Sequence, residues 1–334
     1  MKKLILKILE ENKGTPISGG ELARQLNVSR NAVWKNINSL KKEGYKIISL
    51  KNSGYIFSND NDRLSELEIK KYLKARVLGS KIDIRQTVNS TNNELKTVKN
   101  NQNIENGYTL LSEEQTDGRG RRGRSFLSEK GQGLYMSIYF KPEAEFKDFT
   151  LITIAAAISV CKAVESFSPS ISPKIKWVND IFIGDKKFCG ILTEVVFNAE
   201  ENTADTIITG IGINTGSLPE CLQEFACTLS DFISQAAIRN ELAAKILNEF
   251  EQNLIDLQKN SSDIIKEYKS RLFILNKHVI ANNFKEKIII KAIDIDNKGR
   301  LKAEIIDGKN KGKIITLSSA EVSLLSCEKY LYTN

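Results

Sequence analysis

The chain has 334 residues, 41% of them hydrophobic and 27% charged, and a formal net charge of +8. That length exceeds one average domain and indicates two or three, and the composition is globular rather than disordered or collagen-like. The positive balance favours an anionic partner, and no stretch is apolar and long enough to span a bilayer, so no membrane contact and a cytoplasmic location are expected.

Residues 1–62 are expected to form the first domain. Met1 to Ile8 mimic the start of a signal peptide, but Lys7, Glu10 and Glu11 interrupt the apolar run, and an amphipathic helix is expected instead. Ser18 stands before Glu21-Leu22-Ala23-Arg24-Gln25-Leu26 as an N-cap, and Ser29 does the same for a helix over 30–43. Two short helices joined by the polar turn Asn27-Val28-Ser29 spell a helix-turn-helix. Val33, Ile37 and Leu40 recur at helical spacing and face the core. Arg30, Asn31, Lys35, Asn38 and Lys42 then face outward, residue types suited to base edges and phosphates in a major groove. Two β-like runs, 45–50 and 55–57, joined by Lys51-Asn52-Ser53-Gly54, read as a wing whose Lys51 reaches the DNA backbone. A protein-interaction module can use the same scaffold, but the face carries no acidic residue before Glu43, which favours DNA.

A central domain is expected over 63–272. A polar helix over 64–73 leads to a strand at 82–88, after which Ser90 or Thr91 either caps a helix or points a hydroxyl into a pocket. Then Gly118-Arg119-Gly120-Arg121-Arg122-Gly123-Arg124 threads four arginines through three glycines, between β-rich runs at 108–111 and 133–140. Dinucleotide and P-loop glycine motifs sit between a strand and a helix whose N-terminus holds the phosphate; a strand-loop-strand setting must supply positive charge itself. Glycine admits close backbone approach, and arginine forks bind phosphate or carboxylate bidentately, so a phosphate-bearing ligand fits best. Nucleic acid and a merely solvated basic loop are the alternatives.

An apolar helix over 149–164 supplies core and buries Cys161. Alternation at Lys174-Ile175-Lys176-Trp177 and Ile181-Phe182-Ile183 reads as strands turning at Gly184-Asp185. Asn179-Asp180 interrupt that pattern with polar groups that water or a ligand should satisfy if they are buried, and the nearby lysines suit either a site or a protected sheet edge. Gly210-Ile211-Gly212 in a strand at 207–215 marks close backbone approach. Helices over 228–257 and 263–272 end the domain. Over 273–334, strands at 277–280, 287–293, 301–306 and 313–317 read as a small SH3-like barrel. The fold class is α+β. Five cysteines, Cys161, Cys189, Cys221, Cys227 and Cys327, form no C-x-x-C pair and argue for a reducing compartment and against a protein-built metal centre. The single histidine, His278, excludes a His-rich metal site and reads as a strand-end residue.

Taken together, Ser90-Thr91-Asn92, Glu114-Gln115-Thr116 ahead of the arginine loop, Lys176-Trp177-Val178-Asn179-Asp180, Lys187 before Gly190-Ile191-Leu192, and Gly210-Ile211-Gly212-Ile213-Asn214 resemble the biotin protein ligases. With the winged helix, the resemblance is to their bifunctional ligase and repressor branch, and it covers essentially the whole chain. It implies a class II synthetase-like sheet and two steps: biotin and ATP with Mg2+ give biotinyl-5′-AMP, then a lysine of a biotin carboxyl carrier domain attacks the mixed anhydride. It implies Ser90, Thr91, Gln115 and Arg121 at biotin's polar groups, Lys187 at the reacting carboxylate and phosphate, Asn179 and Asn214 at the nucleotide, and Asp180 receiving the incoming lysine. Arg119, Arg121 and Arg124 would neutralise anionic groups, with Asn92, Gly118, Gly120, Arg122, Gly123, Lys176 and Gly190 completing the binding set. Lys187, Arg121 and Asp180 form the implied catalytic set. Three positions depart from the pattern: Val178 replaces a common proline, Phe126 replaces an adenine-stacking tryptophan, and Asp117 can pair with a loop arginine. The resemblance also implies a ligand-dependent homodimer on a palindromic operator of biotin synthesis or uptake genes. A lipoate-type protein ligase and a ligand-sensing transcription factor without ligase activity are the competing readings.

Overall fold

The computed structural model describes residues 1–51, 53–141, 148–198, 203–283, 286–318 and 321–324. Asn52 of the expected wing turn, Cys327, and residues 325–334 of the expected barrel lie outside the described residues.

The chain opens with α1 (Lys2–Glu11), α2 (Gly19–Gln25), α3 (Arg30–Lys42) and an antiparallel hairpin of β1 (Ile47–Leu50) and β2 (Gly54–Phe57). Ser18 accepts a hydrogen bond from the Glu21 amide at 3.0 Å and Ser29 from the Ala32 amide at 3.1 Å. Each such cap contributes about 1 kcal/mol to helix stability. Ile5, Leu9, Leu22, Val33, Ile37, Leu40, Ile47 and Phe57 close a core drawn only from this segment. The outward faces are therefore those the helical spacing predicted.

Then come α4 (Glu66–Tyr72), β3 (Ile82–Arg85), α5 (Thr91–Asn101), β4 (Thr109–Ser112), β5 (Gly133–Phe140), α6 (Phe149–Glu165), β6 (Lys174–Lys176), β7 (Asp180–Ile183), β8 (Lys186–Asn198), β9 (Thr203–Asn214), α7 (Arg239–Lys259) and α8 (Ser261–Arg271). The strands form one seven-stranded sheet in the order β3-β4-β5-β9-β8-β7-β6, with β3 and β4 parallel and the other pairs antiparallel. Apolar on all sides, α6 is buried from Leu151 to Cys161 and packs between the sheet and α7, as a helix without a polar face must. The helix expected over 228–257 begins only at Arg239. Thr228 and Asp231 close a capping box over a single turn, and Ala237, at φ 58°, bars its continuation.

The remaining strands, β10 (His278–Asn283), β11 (Glu286–Ile295), β12 (Leu301–Ile305), β13 (Ile314–Leu317) and β14 (Glu321–Leu324), form an antiparallel sheet in the order β13-β12-β11-β10-β14. Among the described residues no pairing of β13 with β14 closes it, so the element seen is an antiparallel sheet, not a closed barrel. The sequence pattern missed β14. This sheet shares a continuous core with the central one: Trp177 donates to the Gly299 carbonyl at 2.9 Å in the interior. Gly299 sits at φ +76°, and a Cβ there would come 2.5 Å from Ile154, so the turn before β12 admits only glycine.

Where the N-terminal segment meets the centre, Arg239 is 2% exposed and Glu113 is 1% exposed. Arg239 donates to Asp62 at 2.8 Å, to Glu113 at 2.9 Å and to the Gly133 carbonyl at 3.2 Å. Glu113 also accepts the Leu64 amide at 2.9 Å. One buried guanidinium thus ties the linker to both ends of the segment that carries the arginine loop.

Candidate active site and nucleic-acid interface

The arginine loop runs from β4 to β5, in the strand-loop-strand setting read from the sequence, and folds over the ends of β7, β8 and β9 to form a cavity. One wall is a hydroxyl and amide network. Ser90 is the N-cap residue of α5, yet its hydroxyl makes no capping bond; it is 2% exposed and lines the cavity. Of the two readings left open for Ser90, helix capping by its hydroxyl is not seen. Thr91 donates through its amide and hydroxyl to the Gln115 side-chain oxygen Oε1 at 2.8 and 3.1 Å, and the Gln115 side-chain amide donates to the Ser128 hydroxyl at 2.7 Å. Ser137 sits behind, 2.7 Å from the Thr91 hydroxyl and 2.6 Å from the Asn92 oxygen, while Asn92 donates to Glu194 at 2.8 Å. Thr91, Asn92, Gln115 and Ser137 are thus held by one another or by neighbours, so their orientation is fixed before any ligand arrives.

The opposite wall is ionic. Asp180 lies 2.7 Å from the Lys187 ammonium and 3.6 Å from that of Lys176. Asn179 donates to the Ile191 carbonyl at 2.9 Å and accepts from Arg121 at 3.2 Å. The expectation that water or a ligand would satisfy Asn179 and Asp180 is therefore corrected: the protein's own cations and main chain do it. Burial pushes the Asp180 carboxyl up, but Lys187 and Lys176 together outweigh it and hold the group below the ordinary carboxylate range. The break between β6 and β7 is fastened by Tyr268, which donates to the Val178 carbonyl at 2.9 Å.

Between the walls, the Phe126 ring lies over backbone. A Cβ on Gly212 would come 2.7 Å from the ring and one on Gly190 3.6 Å from it. Asp117 pairs with Arg119 at 3.1 Å, as its place beside the loop suggested. Of the residues singled out from sequence for ligand binding, Gly118, Gly123 and Asn214 do not line the cavity. Asn214 turns its amide to the Cys227 carbonyl at 3.3 Å, and Gly118 accepts the Phe126 amide at 2.8 Å, shaping the loop from behind. The others named from sequence all line it. Sequence reading passed over Ser125 and, from the C-terminal sheet, Val322, which no local pattern relates to residues of the arginine loop.

Residues 2–56 match the model of an HTH domain and residues 84–214 that of the Biotin/lipoate A/B protein ligase family. The bifunctional ligase/repressor BirA of Bacillus subtilis is 31% identical over 329 residues, covering 97% of this chain and 98% of the relative, and that of Bacillus spizizenii is equally similar. The chain belongs to the bifunctional biotin ligase and repressor family. A biotin protein ligase from Aquifex aeolicus, solved in complex with biotin and ATP, superposes with a TM-score of 0.61 at 29% identity over 73% of this chain and 97% of its own. As a biotin ligase of the repressor type, the chain carries both halves: the mixed sheet with its cavity and the N-terminal helix-turn-helix.

On the repressor half, α3 is the second helix of the motif. Arg30, Asn31, Lys35 and Lys51 are exposed and Asn38 is half-buried. Glu43, the first acid after that face, is held by Lys2 at 2.6 Å and Ser39 at 2.9 Å. The face offered to solvent is therefore cationic and amide-rich. Trp34, which the sequence reading passed over, stands exposed on it.

Proposed function

We propose that this biotin ligase makes biotinyl-5′-AMP in the cavity under the arginine loop and transfers biotin to a lysine of a biotin carboxyl carrier domain. The observation that carries the reading is the charge of the ionic wall: Asp180 is the one carboxylate among the lining residues, surrounded by Lys187, Lys176 and the loop arginines. The first step brings a carboxylate oxygen to the α-phosphorus of ATP; a P–O bond forms and pyrophosphate leaves. Two anions repel as they approach, and fixed cations lower that cost without reorganising. In this reading Lys187 holds the reacting oxygens, Arg121 bridges them to Asn179, and Ser90, Thr91 and Gln115 orient biotin's polar groups. Asn92, Gly120, Arg122, Arg124, Lys176 and Gly190 complete the lining, and Phe126 offers a face for adenine.

In the second step the lysine amine attacks the acyl carbon and AMP leaves. Asp180, ionised and held low, is a weak base; it suits drawing the incoming ammonium into place better than stripping its proton. Mg2+ enters the reading as part of the nucleotide substrate, carried on its phosphates.

Biotin-dependent release of pyrophosphate from ATP tests the reading. Release with lipoate in place of biotin would overturn the substrate, and none with either would leave a ligand-sensing transcription factor. The regulatory half rests on the basic face of α3: adenylate would favour a homodimer that pairs two winged helices on an operator in the cytoplasm. Equal operator affinity with and without biotin and ATP would sink that coupling. The division into 1–62, 63–272 and 273–334, with the last an SH3-like barrel, is part of the same reading.

A further inference from the structure

Trp34 is 55% exposed, whereas the chain's other tryptophan, Trp177, is 2% exposed. An isolated surface apolar residue needs no explanation, but the position of this one does. At about 100° per residue, Arg30, Asn31, Asn38 and Lys41 all fall within roughly 60° of Trp34 on α3. Of the core residues, Val33 and Leu40 lie roughly 100–120° from it and Ile37 about 60°. The indole therefore sits within the span of the cationic, amide-bearing face, on the flank that adjoins the apolar stripe. It also lines the open groove between α3 and the hairpin, where Arg30, Asn31, Gly54 and Tyr55 are its neighbours. Helix capping, core packing and solubility are all served without it.

We propose that Trp34 is a specificity-determining residue that reads the 5-methyl group of a thymine in the major groove. The proposal rests on the DNA-binding reading above. Each base pair there shows a distinct pattern of donors and acceptors, and thymine alone among the four bases adds a methyl. Arginine, lysine and asparagine read the polar edges; a flat apolar surface amid them reads the methyl. The neighbouring cations fix the occupant as DNA rather than a protein: Arg30, Lys35 and Lys42 are exposed and would hold phosphates on either side of the ring.

The test starts with the full-length chain, biotin and Mg-ATP selecting sites from a randomised duplex pool. Thymines of the selected site are then replaced one at a time by deoxyuridine, which removes only the methyl. For the natural chain, the replacement at one thymine in each half-site weakens binding roughly three- to tenfold, the value of one buried methyl. Trp34→Ala binds the thymine site more weakly and does not distinguish the two duplexes, while Trp34→Phe recovers part of the discrimination. Both variants keep biotin-dependent pyrophosphate release and the natural chain's thermal unfolding profile and helical circular dichroism, which shows that both halves fold. Indifference of the natural chain to every replacement, or an equal penalty in Trp34→Ala, overturns the proposal alone. So does a Trp34→Ala chain that loses self-association and keeps its DNA affinity. A natural chain that selects no sequence overturns the DNA-binding reading, and this proposal with it.

Discussion

Lys187 reaches Asp180 at 2.7 Å, and its loss would leave that half-buried carboxylate with Lys176 at 3.6 Å and the Asn179 amide at 3.2 Å. Lys187→Ala is expected to lower kcat/KM for adenylate formation by about 10²–10³, the usual effect of removing one preorganised charge from a reacting centre. Steady-state pyrophosphate release measures it, and unchanged synthesis would remove Lys187 from the site. Gly212→Ala tests the adenine face. Its new Cβ would meet the Phe126 ring at 2.7 Å, an overpacking that costs about 1–3 kcal/mol, or roughly five- to hundredfold in the KM for ATP. An unaltered KM would show that the nucleotide does not rest on Phe126. At this scale the site was legible where chemistry is clustered in sequence, as in the arginine loop and Lys176 to Lys187. It was illegible where a residue acts through distant backbone. Asn214 has the right type beside the right glycines, yet its amide serves the Cys227 carbonyl. Trp34 was hidden by its own helix, because periodicity marks the residues that build the core and is silent on what an outward residue is for.

Among elements, the segment from β4 to β5 depends on a clamp it does not contain. Arg239 at the start of α7 holds Asp62, Glu113 and the Gly133 carbonyl. Removing one partner of a buried ion pair costs about 3–5 kcal/mol where the other charge is left uncompensated; Arg63, 3.6 Å from Glu113, holds the cost here to the low end of that range. Arg239→Met is therefore expected to lower the unfolding free energy by about that amount in urea titrations. Adding Glu113→Gln should return most of it, since the stranded charge is then gone. A single variant as stable as the natural chain would show that the clamp is ornamental. Nothing in the sequence could have joined Asp62, Glu113 and Arg239, which are far apart and belong to no periodic pattern. The same limit explains the misplaced start of α7. The residues after Thr228 carry a sound helix-start signal, and only the backbone at Ala237 shows that the helix stops and begins again.

For the whole molecule, the seam between α1 and α4 is titratable. Glu10 is pushed up to about 7, chiefly by burial; Ser65 and the ammonium groups of Lys71 and Lys13 oppose the shift, and Glu68 adds to it. The folded chain binds this proton more tightly than the unfolded one. Its stabilising contribution is thus complete below the ordinary glutamate value of about 4.3 and is lost as pH rises through about 7. The Tm of the natural chain should fall over that window by a component that Glu10→Gln lacks; parallel Tm profiles for the two would refute it. The fold class was legible at this scale because amphipathic periods and caps are local. The joining of the C-terminal sheet to the central core was not, since Trp177 and the Gly299 carbonyl meet only in three dimensions.

Arg122 donates at 2.8 Å to the main-chain carbonyl of Asn282 in β10. Any side chain can occupy position 282 and leave that oxygen in place, so an alignment of related chains would record drift where there is a contact. Insertions or deletions that shift β10 by a residue would pull directly on the arginine loop. Such a lesion would look like a remote, unexplained loss of activity in a genetic screen, though only one bond separates it from the chemistry.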